Sequence, residues 1–239
     1  MSADSIAAEI RSELKKQADP KRAKLETRYF KETIKCYGAS LWKARKIEKE
    51  TYAKHKEEID LKTSLQLADK LLNAGWFEEG FIGLCMVARH KKEFTKQTFK
   101  TFEKWAGNYI ANWAHSDDLS AHLIAPVLEK YPELAKQLVS WTSSPNRWKR
   151  RIAAVSFIYE AGKGKHFNEI FTIARVLMND KDDLVQKGSG WMLREAVKGN
   201  EKKTLAFLEK YKLKLPRTTL RYAIERLPQK KRKELLRKQ

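Results

Sequence analysis

Residues 148–155 read Trp148-Lys149-Arg150-Arg151-Ile152-Ala153-Ala154-Val155, and residues 185–192 read Val185-Gln186-Lys187-Gly188-Ser189-Gly190-Trp191-Met192. Each segment has the apolar spacing of an amphipathic helix, and each reads as the second helix of a helix–turn–helix pair. The offset of roughly 37 residues fits a HEAT-type α-solenoid, in which helix pairs bury their apolar faces against the pairs before and after them.

The same helical periodicity extends in both directions. Ile6, Ile10 and Leu14 begin an amphipathic helix that stops before Asp19-Pro20, because proline cannot continue a helix but suits the first turn of the next. The next helix is expected over about residues 20–36, carrying Leu25, Tyr29, Phe30 and Ile34, with Gly38 as its stop. Ser40 caps a helix through Leu41, Arg45, Ile47 and Tyr52. Further helices are expected near 61–73, 77–90, 94–107 and 119–130; that over 77–90 is the most apolar and belongs deep in the core. Tyr131-Pro132 marks a turn before a short helix ending at Trp141. Ser143-Ser144-Pro145 reads as a cap with proline at the first helical position, opening a helix to about Glu160. Helices near 166–178, 183–198, 201–212 and 217–226 complete the pattern. There is no period-2 strand and no Asn-Gly hairpin signal. The expectation is an all-α fold, an α-solenoid of HEAT-like antiparallel helix pairs with a concave basic groove. It forms one domain over residues 1–228, followed by a frayed basic C-terminal tail over 229–239.

Charge narrows the partners. Fifty Lys and Arg against 30 Asp and Glu give the 239-residue chain a formal net charge of +20. That excess points to a polyanion, nucleic acid ahead of an anionic membrane surface. The chain's 7 Trp and 8 Tyr favour nucleic acid, because bases stack on aromatic rings. Cys36 and Cys85 form no CxxC pair and read as reduced thiols of a cytoplasmic protein. The N-terminal residues lack the apolar run of a signal peptide, and no stretch nears ~18 uninterrupted apolar residues. His55, His90, His115, His122 and His166 show no metal-ligand spacing, and neither a P-loop nor a GxGxxG is present. No metal and no nucleotide cofactor is therefore expected.

Three constellations pair a large aromatic with charge. Trp113 and Asp117 are four residues apart and share a face if both are helical. Either Asp117, or Ser116 before it, caps the helix that Leu119 continues, or a carboxylate stands beside an indole in a basic groove, where it can stabilise a developing cation and orient water. Arg151 lies along the inward stripe of Trp148, Ile152, Val155 and Tyr159, and either pairs internally or reaches a ligand anion. Arg147, Lys149 and Arg150 point outward. Trp191 has Gly188, Ser189 and Gly190 before it, for close helix packing or to leave the indole accessible; Arg194 and Glu195 read as an internal ion pair.

On these residues the chain resembles the AlkD-type DNA alkylation repair glycosylases, which are built of HEAT-like repeats. The matching pieces are Arg28-Tyr29-Phe30-Lys31 with Gly38 and Arg45 downstream, Trp113 with Asp117, Trp148 with Arg151 and Ala153-Ala154, and the run from Val185 to Glu195. They stand in family order over about residues 5–225. Ala39-Ser40-Leu41-Trp42 departs from the family's polar-then-proline pattern, Asn112 stands where a second Trp is common, and Gly188 and Ser189 replace larger residues.

The resemblance implies a monofunctional glycosylase, a monomer without cofactor, acting on duplex DNA. It would release positively charged N3- and N7-alkylpurines such as 3-methyladenine and 7-methylguanine without flipping the base. Tyr29, Trp113 and Trp191 would cradle the nucleotide with the carboxylate of Asp117, and Arg151, with Arg45 and Lys31, would hold DNA. The alternative expectation is a non-catalytic HEAT-like repeat protein that binds damaged or branched DNA.

Overall fold

Side-chain caps written into the sequence set where most helices begin. The structure, a computed structural model, describes residues 2–237, and the chain divides between Leu123 and Ile124 into two compact units. Among the described residues there is no strand, only one isolated bridge between Lys35 and Trp76, so the chain is all-α as expected.

The first unit contains α1 (Ala3–Lys16), α2 (Pro20–Glu26), α3 (Leu41–Lys54), α4 (Leu61–Asn73), α5 (Phe77–Ala88), α6 (Lys96–Asn108) and α7 (Trp113–Asp118). Ser2, Asp19, Ser40, Asp60, Thr95 and Asn112 each accept a backbone N–H from the first turn that follows. Ile6, Ile10 and Leu14 of α1 are fully buried, as their spacing predicts. The most apolar helix, α5, packs against α1, α3, α4 and α7 and is buried along almost its whole length.

Residues 20–36 are not one helix. α2 ends at Glu26, a 3-10 turn covers Thr27–Tyr29, and extended chain runs on to Ser40. The cause is Glu78 on α5, whose carboxylate is fully buried. It accepts the backbone N–H groups of Tyr37 at 3.0 Å, Gly38 at 2.8 Å and Ala39 at 3.1 Å, and the Cys36 thiol at 3.2 Å. A helix would have spent those N–H groups internally. Gly38 has φ +78, and a Cβ there would collide with the Asp19 carbonyl; it serves this turn and does not end a helix. Neighbouring Glu79 accepts the Tyr37 hydroxyl at 2.8 Å and Arg11 Nε at 2.9 Å. Leu25 and Tyr29, placed on an apolar stripe by the sequence pattern, are instead 55% and 77% exposed.

A π-helical stretch, Leu119–Ile124, replaces the first half of the α-helix expected over 119–130. Pro126 has no N–H to return to the His122 carbonyl, so the turn before it widens. The second unit then runs through α8 (Ala125–Lys130), α9 (Ala135–Ser140), α10 (Arg147–Val155), α11 (Ile158–Gly162), α12 (Phe167–Leu177), α13 (Asp183–Gly199), α14 (Glu201–Tyr211), α15 (Arg217–Ala223) and α16 (Gln229–Leu236). Asn146 caps α10, so Pro145 precedes the cap and does not occupy the first turn. The helix expected to reach Glu160 is broken at Ser156-Phe157 into α10 and α11.

The two repeat segments lie on α10 and α13, which pack together, and α13 also contacts α11, α12, α14 and α15. A Cβ on Gly190 would lie 2.7 Å from the Thr219 carbonyl oxygen and 2.5 Å from Tyr222 Cβ, both on α15. One on Gly188 would lie 3.2 Å from Val155 and 3.3 Å from Arg151. Of the two readings offered for these glycines, close helix packing is the one the contacts explain. α16 lies where fraying was expected; its Leu235 is buried and the Leu236 carbonyl accepts from Arg217 at 3.1 Å. The last two positions of the tail lie outside the described residues.

Two ionisable groups in the first unit, buried His115 and partly buried Asp118, pull stability in opposite directions with pH. His115 lies against α5, its ring stacked on Phe77 at 5.2 Å; Nε2 donates to the Phe77 carbonyl at 2.8 Å, and Nδ1 accepts from Asn112 at 3.1 Å. Burial holds its pKa down to about 4. Asp118 has its pKa pushed up to about 6, by burial first and by the charge of Asp117 second, with Arg45 opposing. The neutral imidazole is stabilising above its unfolded value, and that stability is lost as pH falls toward 4. The partly buried Asp118 carboxyl has the opposite sign: it costs stability as pH rises from its unfolded value through about 6.

Removing Asp118 should leave the His115 trend unopposed. Asp118→Asn should gain on the order of 1–3 kcal/mol at pH 7 and lose stability more steeply than wild type between pH 6 and 4, read as denaturant midpoints across that range. Glu78→Gln should cost about 2–4 kcal/mol, because it leaves buried N–H groups facing an amide, and it should speed modification of Cys36 by a thiol reagent.

Candidate functional site

Trp113 opens α7. Its helix is capped by Asn112, whose side chain accepts the His115 N–H at 2.9 Å, so neither Ser116 nor Asp117 serves as the cap. The helix continues beyond both into the π-helical stretch. Capping is therefore not the duty of Asp117, whose partly buried carboxylate lies one turn beyond the indole.

The indole is fixed from two sides. Its Nε1–H donates to the Tyr29 carbonyl at 3.2 Å, and its ring stacks on Phe30 at 5.4 Å with planes 21° apart. Phe30 meets Phe77 edge-on at 5.4 Å, and Phe77 stacks on His115. A row of four rings thus ties the 3-10 turn of Tyr29 to α5 and α7, worth about 0.5–1.5 kcal/mol per aromatic contact beyond area burial. Tyr29 itself projects into solvent. The structure therefore brings Tyr29 and Trp113 together, with Asp117 on the same helix as Trp113.

Arg45 and Lys31 are both exposed. Arg45 lies 5.3 Å from the Phe81 ring and lines a cavity of about 260 Å³ together with Lys49, Cys85, Asp118 and His122. The Arg89–Glu48 ion pair, with contacts of 2.5 and 3.0 Å, forms another wall. Burial pushes the Cys85 thiol up to about 12, so it stays protonated.

Trp191 and Arg151 belong to the second unit. Trp191 is half-buried on α13 and lines a cavity of about 520 Å³ with Tyr159, Lys163, Lys198 and Arg226 among its neighbours. Arg194 lies 6.0 Å from its ring. The expected pairing of Arg194 with Glu195 is present at 3.5 Å and extends to Glu225, while Arg226 joins Glu195 at 3.4 Å. Arg151 is 6% exposed and donates to the Leu184 carbonyl near the start of α13. Arg147 and Arg150 are not loose surface charge. Arg147 pairs with Asp182 at 3.1 Å; Arg150 pairs with Asp180 at 2.6 Å and donates to the Ser144 and Pro145 carbonyls. These pairs tie α10 to the turn that starts α13. Lys149 lies 4.8 Å from the Trp141 ring.

Sequence reasoning missed Phe30, Phe77, His115 and Asp118 as supports of the site, and Glu78 as the group that positions the Tyr29 turn. The available signal was Glu78-Glu79 inside the most apolar helix, since buried acids demand partners. Glu26, Cys36 and Glu78 place three ligand-type atoms within 4.8 Å of one another. The Cys36 thiol donates to both carboxylates, and burial and Glu78 push its pKa up. With the Glu78 oxygens engaged by backbone N–H groups, this cluster serves as a hydrogen-bonded lock.

A solved structure from Enterococcus faecalis, described as a predicted DNA alkylation repair enzyme, superimposes with a TM-score of 0.72 at 15% identity, over 89% of this chain and 98% of that one. At that identity the likeness shows the fold, the all-helical arrangement of helix pairs. No curated protein matches the sequence. No helix among the described residues is long and apolar enough to cross a membrane. The family model of the DNA alkylation repair enzymes matches residues 10–227, nearly the whole length, and the chain belongs to that family.

Proposed function

We propose that this protein is an AlkD-type DNA glycosylase that hydrolyses the N-glycosidic bond of positively charged N3- and N7-alkylpurines in duplex DNA. The observation that carries the reading is the Tyr29–Trp113–Asp117 arrangement: an indole held by the Tyr29 main-chain carbonyl, an exposed phenol on that same residue, and a carboxylate one helical turn away. An alkylated purine already carries positive charge, so it leaves without an acid to protonate it. The sugar that remains is oxocarbenium-like. Asp117 stabilises that cation and positions water, and the π face of Trp113 is attracted to the same charge; Trp191 is assigned to the nucleotide by the family resemblance. No lysine nucleophile enters the reaction, so the product strand stays uncut. The protein acts as a monomer without metal or cofactor, and Arg151, Arg45 and Lys31 hold the DNA backbone.

Mass analysis of bases released from methylated duplex DNA is the test. Wild type should release 3-methyladenine and 7-methylguanine, and Asp117→Asn should be slower by about 10²-fold or more, the scale for losing one preorganised electrostatic group. Release by wild type no faster than by Asp117→Asn defeats the proposal, and tight DNA binding without release would mark a non-catalytic DNA-binding repeat protein. Arg151→Ala should weaken DNA affinity and lower the slope of log K against log salt by about 1. Unchanged affinity would mean that Arg151 is an internal structural partner.

A further inference from the structure

On one face of α3 the proposed reaction uses Arg45 alone. Ala44, Ile47, Glu48 and Thr51 form its buried side. Trp42, Arg45, Lys46 and Lys49 follow one another at helical i, i+3, i+4, i+7 spacing on the other side, and all four are exposed. Trp42 is 72% exposed and the adjacent Leu41 48%. A tryptophan left that open forgoes most of the stabilisation that burying an indole gives.

We propose that this stripe is a second nucleic-acid contact, with Trp42 stacking on an unpaired or unstacked base while Arg45, Lys46 and Lys49 follow the adjoining phosphates. Charge selects the occupant. Lys43 and Lys49 have no ion-pair partner among the described residues. Glu48 is buried and already paired with Arg89, so it does not neutralise the face. Glu50, 3.7 Å from Lys46, is the exposed acid along the segment. Lys46 lies 6.0 Å from the Trp42 ring, an aromatic face with a cation beside it. An apolar protein partner would have to desolvate this set of cations, whereas a nucleic-acid strand supplies a π face and regularly spaced anions together.

The stripe is also continuous with the candidate site. Arg45 and Lys49 line the cavity of about 260 Å³ whose wall includes Asp118, the chain neighbour of Asp117. A strand lying along α3 would therefore run from Trp42 toward the carboxylate assigned to chemistry. The contact does not depend on base excision, and it adds to Tyr29 and Trp113 another aromatic of the first unit, aimed at undamaged sequence.

The experiment measures the full-length protein's affinity for an undamaged short duplex carrying a one-nucleotide gap, for the intact duplex and for the single strand. Wild type should prefer the gapped and single-stranded probes. Trp42→Ala should weaken binding to them by about 5- to 100-fold, the range for losing one stacked base, and leave the intact duplex nearly unaffected. Trp42→Phe should recover most of the loss. Lys46→Gln with Lys49→Gln should weaken all three probes and lower the salt slope by about 2. Because Trp42 is exposed, the thermal midpoint should be unchanged in the Trp42 variants, which separates lost contact from lost fold. Equal affinity of wild type and Trp42→Ala for the gapped duplex overturns the proposal. So does a loss shown only on vesicles of phosphatidylserine and phosphatidylcholine, which would make the stripe a membrane contact. All readings use undamaged DNA, so a failure of the glycosylase assignment leaves this test intact, and the converse also holds.

Discussion

A carboxylate sealed from water has to be satisfied by the protein around it, and in the first unit that constraint falls on Glu78. Its oxygens gather three consecutive backbone N–H groups, from Tyr37, Gly38 and Ala39, and the thiol of Cys36. The segment that supplies them cannot be helical, so the chain between α2 and α3 is stretched across the end of α5. That path sets Phe30 against Phe77 and presents the Tyr29 carbonyl to Trp113. The aromatic arrangement on which the functional reading rests is thus downstream of one buried negative charge and would not survive as drawn if the segment reverted to helix.

The second unit solves its packing differently. Its hub is α13, and the close approach of α15 is possible because Gly190 has no side chain to place between them. Arginines of α10 provide the complement. Arg147 and Arg150 reach Asp182 and Asp180, and Arg151 reaches Leu184, so three guanidinium groups converge on the beginning of α13. In a chain with so large an excess of positive charge, the share carried by Arg147 and Arg150 is spent on internal ion pairs, and the part available to a polyanion is smaller than the composition alone implies.

Fold class was legible from periodicity and caps, because both are local. Ser40 and the apolar spacing of Ile6, Ile10 and Leu14 needed no knowledge of distant residues. The helix expected over 20–36 failed for the opposite reason: the group that unwinds it lies more than 40 residues away in sequence, and nothing in the segment itself announces it. The same holds at the site. Trp113 and Asp117 could be paired from their spacing, but that Asp117 does not cap the helix turned on Asn112, which satisfies the first turn on its own. Arg151 could be placed on an inward stripe, yet its bond to the Leu184 carbonyl could not be read, because main-chain acceptors leave no trace in side-chain patterns.

The hydrogen bond from Trp113 to position 29 ends on a main-chain oxygen. Any residue that keeps the backbone path can offer that oxygen, so the indole's anchorage is indifferent to which side chain projects there. The phenol of Tyr29, largely in solvent, carries none of the structural burden. Position 29 is thereby uncoupled from folding: selection can exchange one ring for another, or for a smaller group, and reshape what is admitted beside Trp113 without dismantling the wall that holds it. Few residues so close to a carboxylate of proposed function are as free to diverge, and this one place could let relatives of the same architecture accept different lesions.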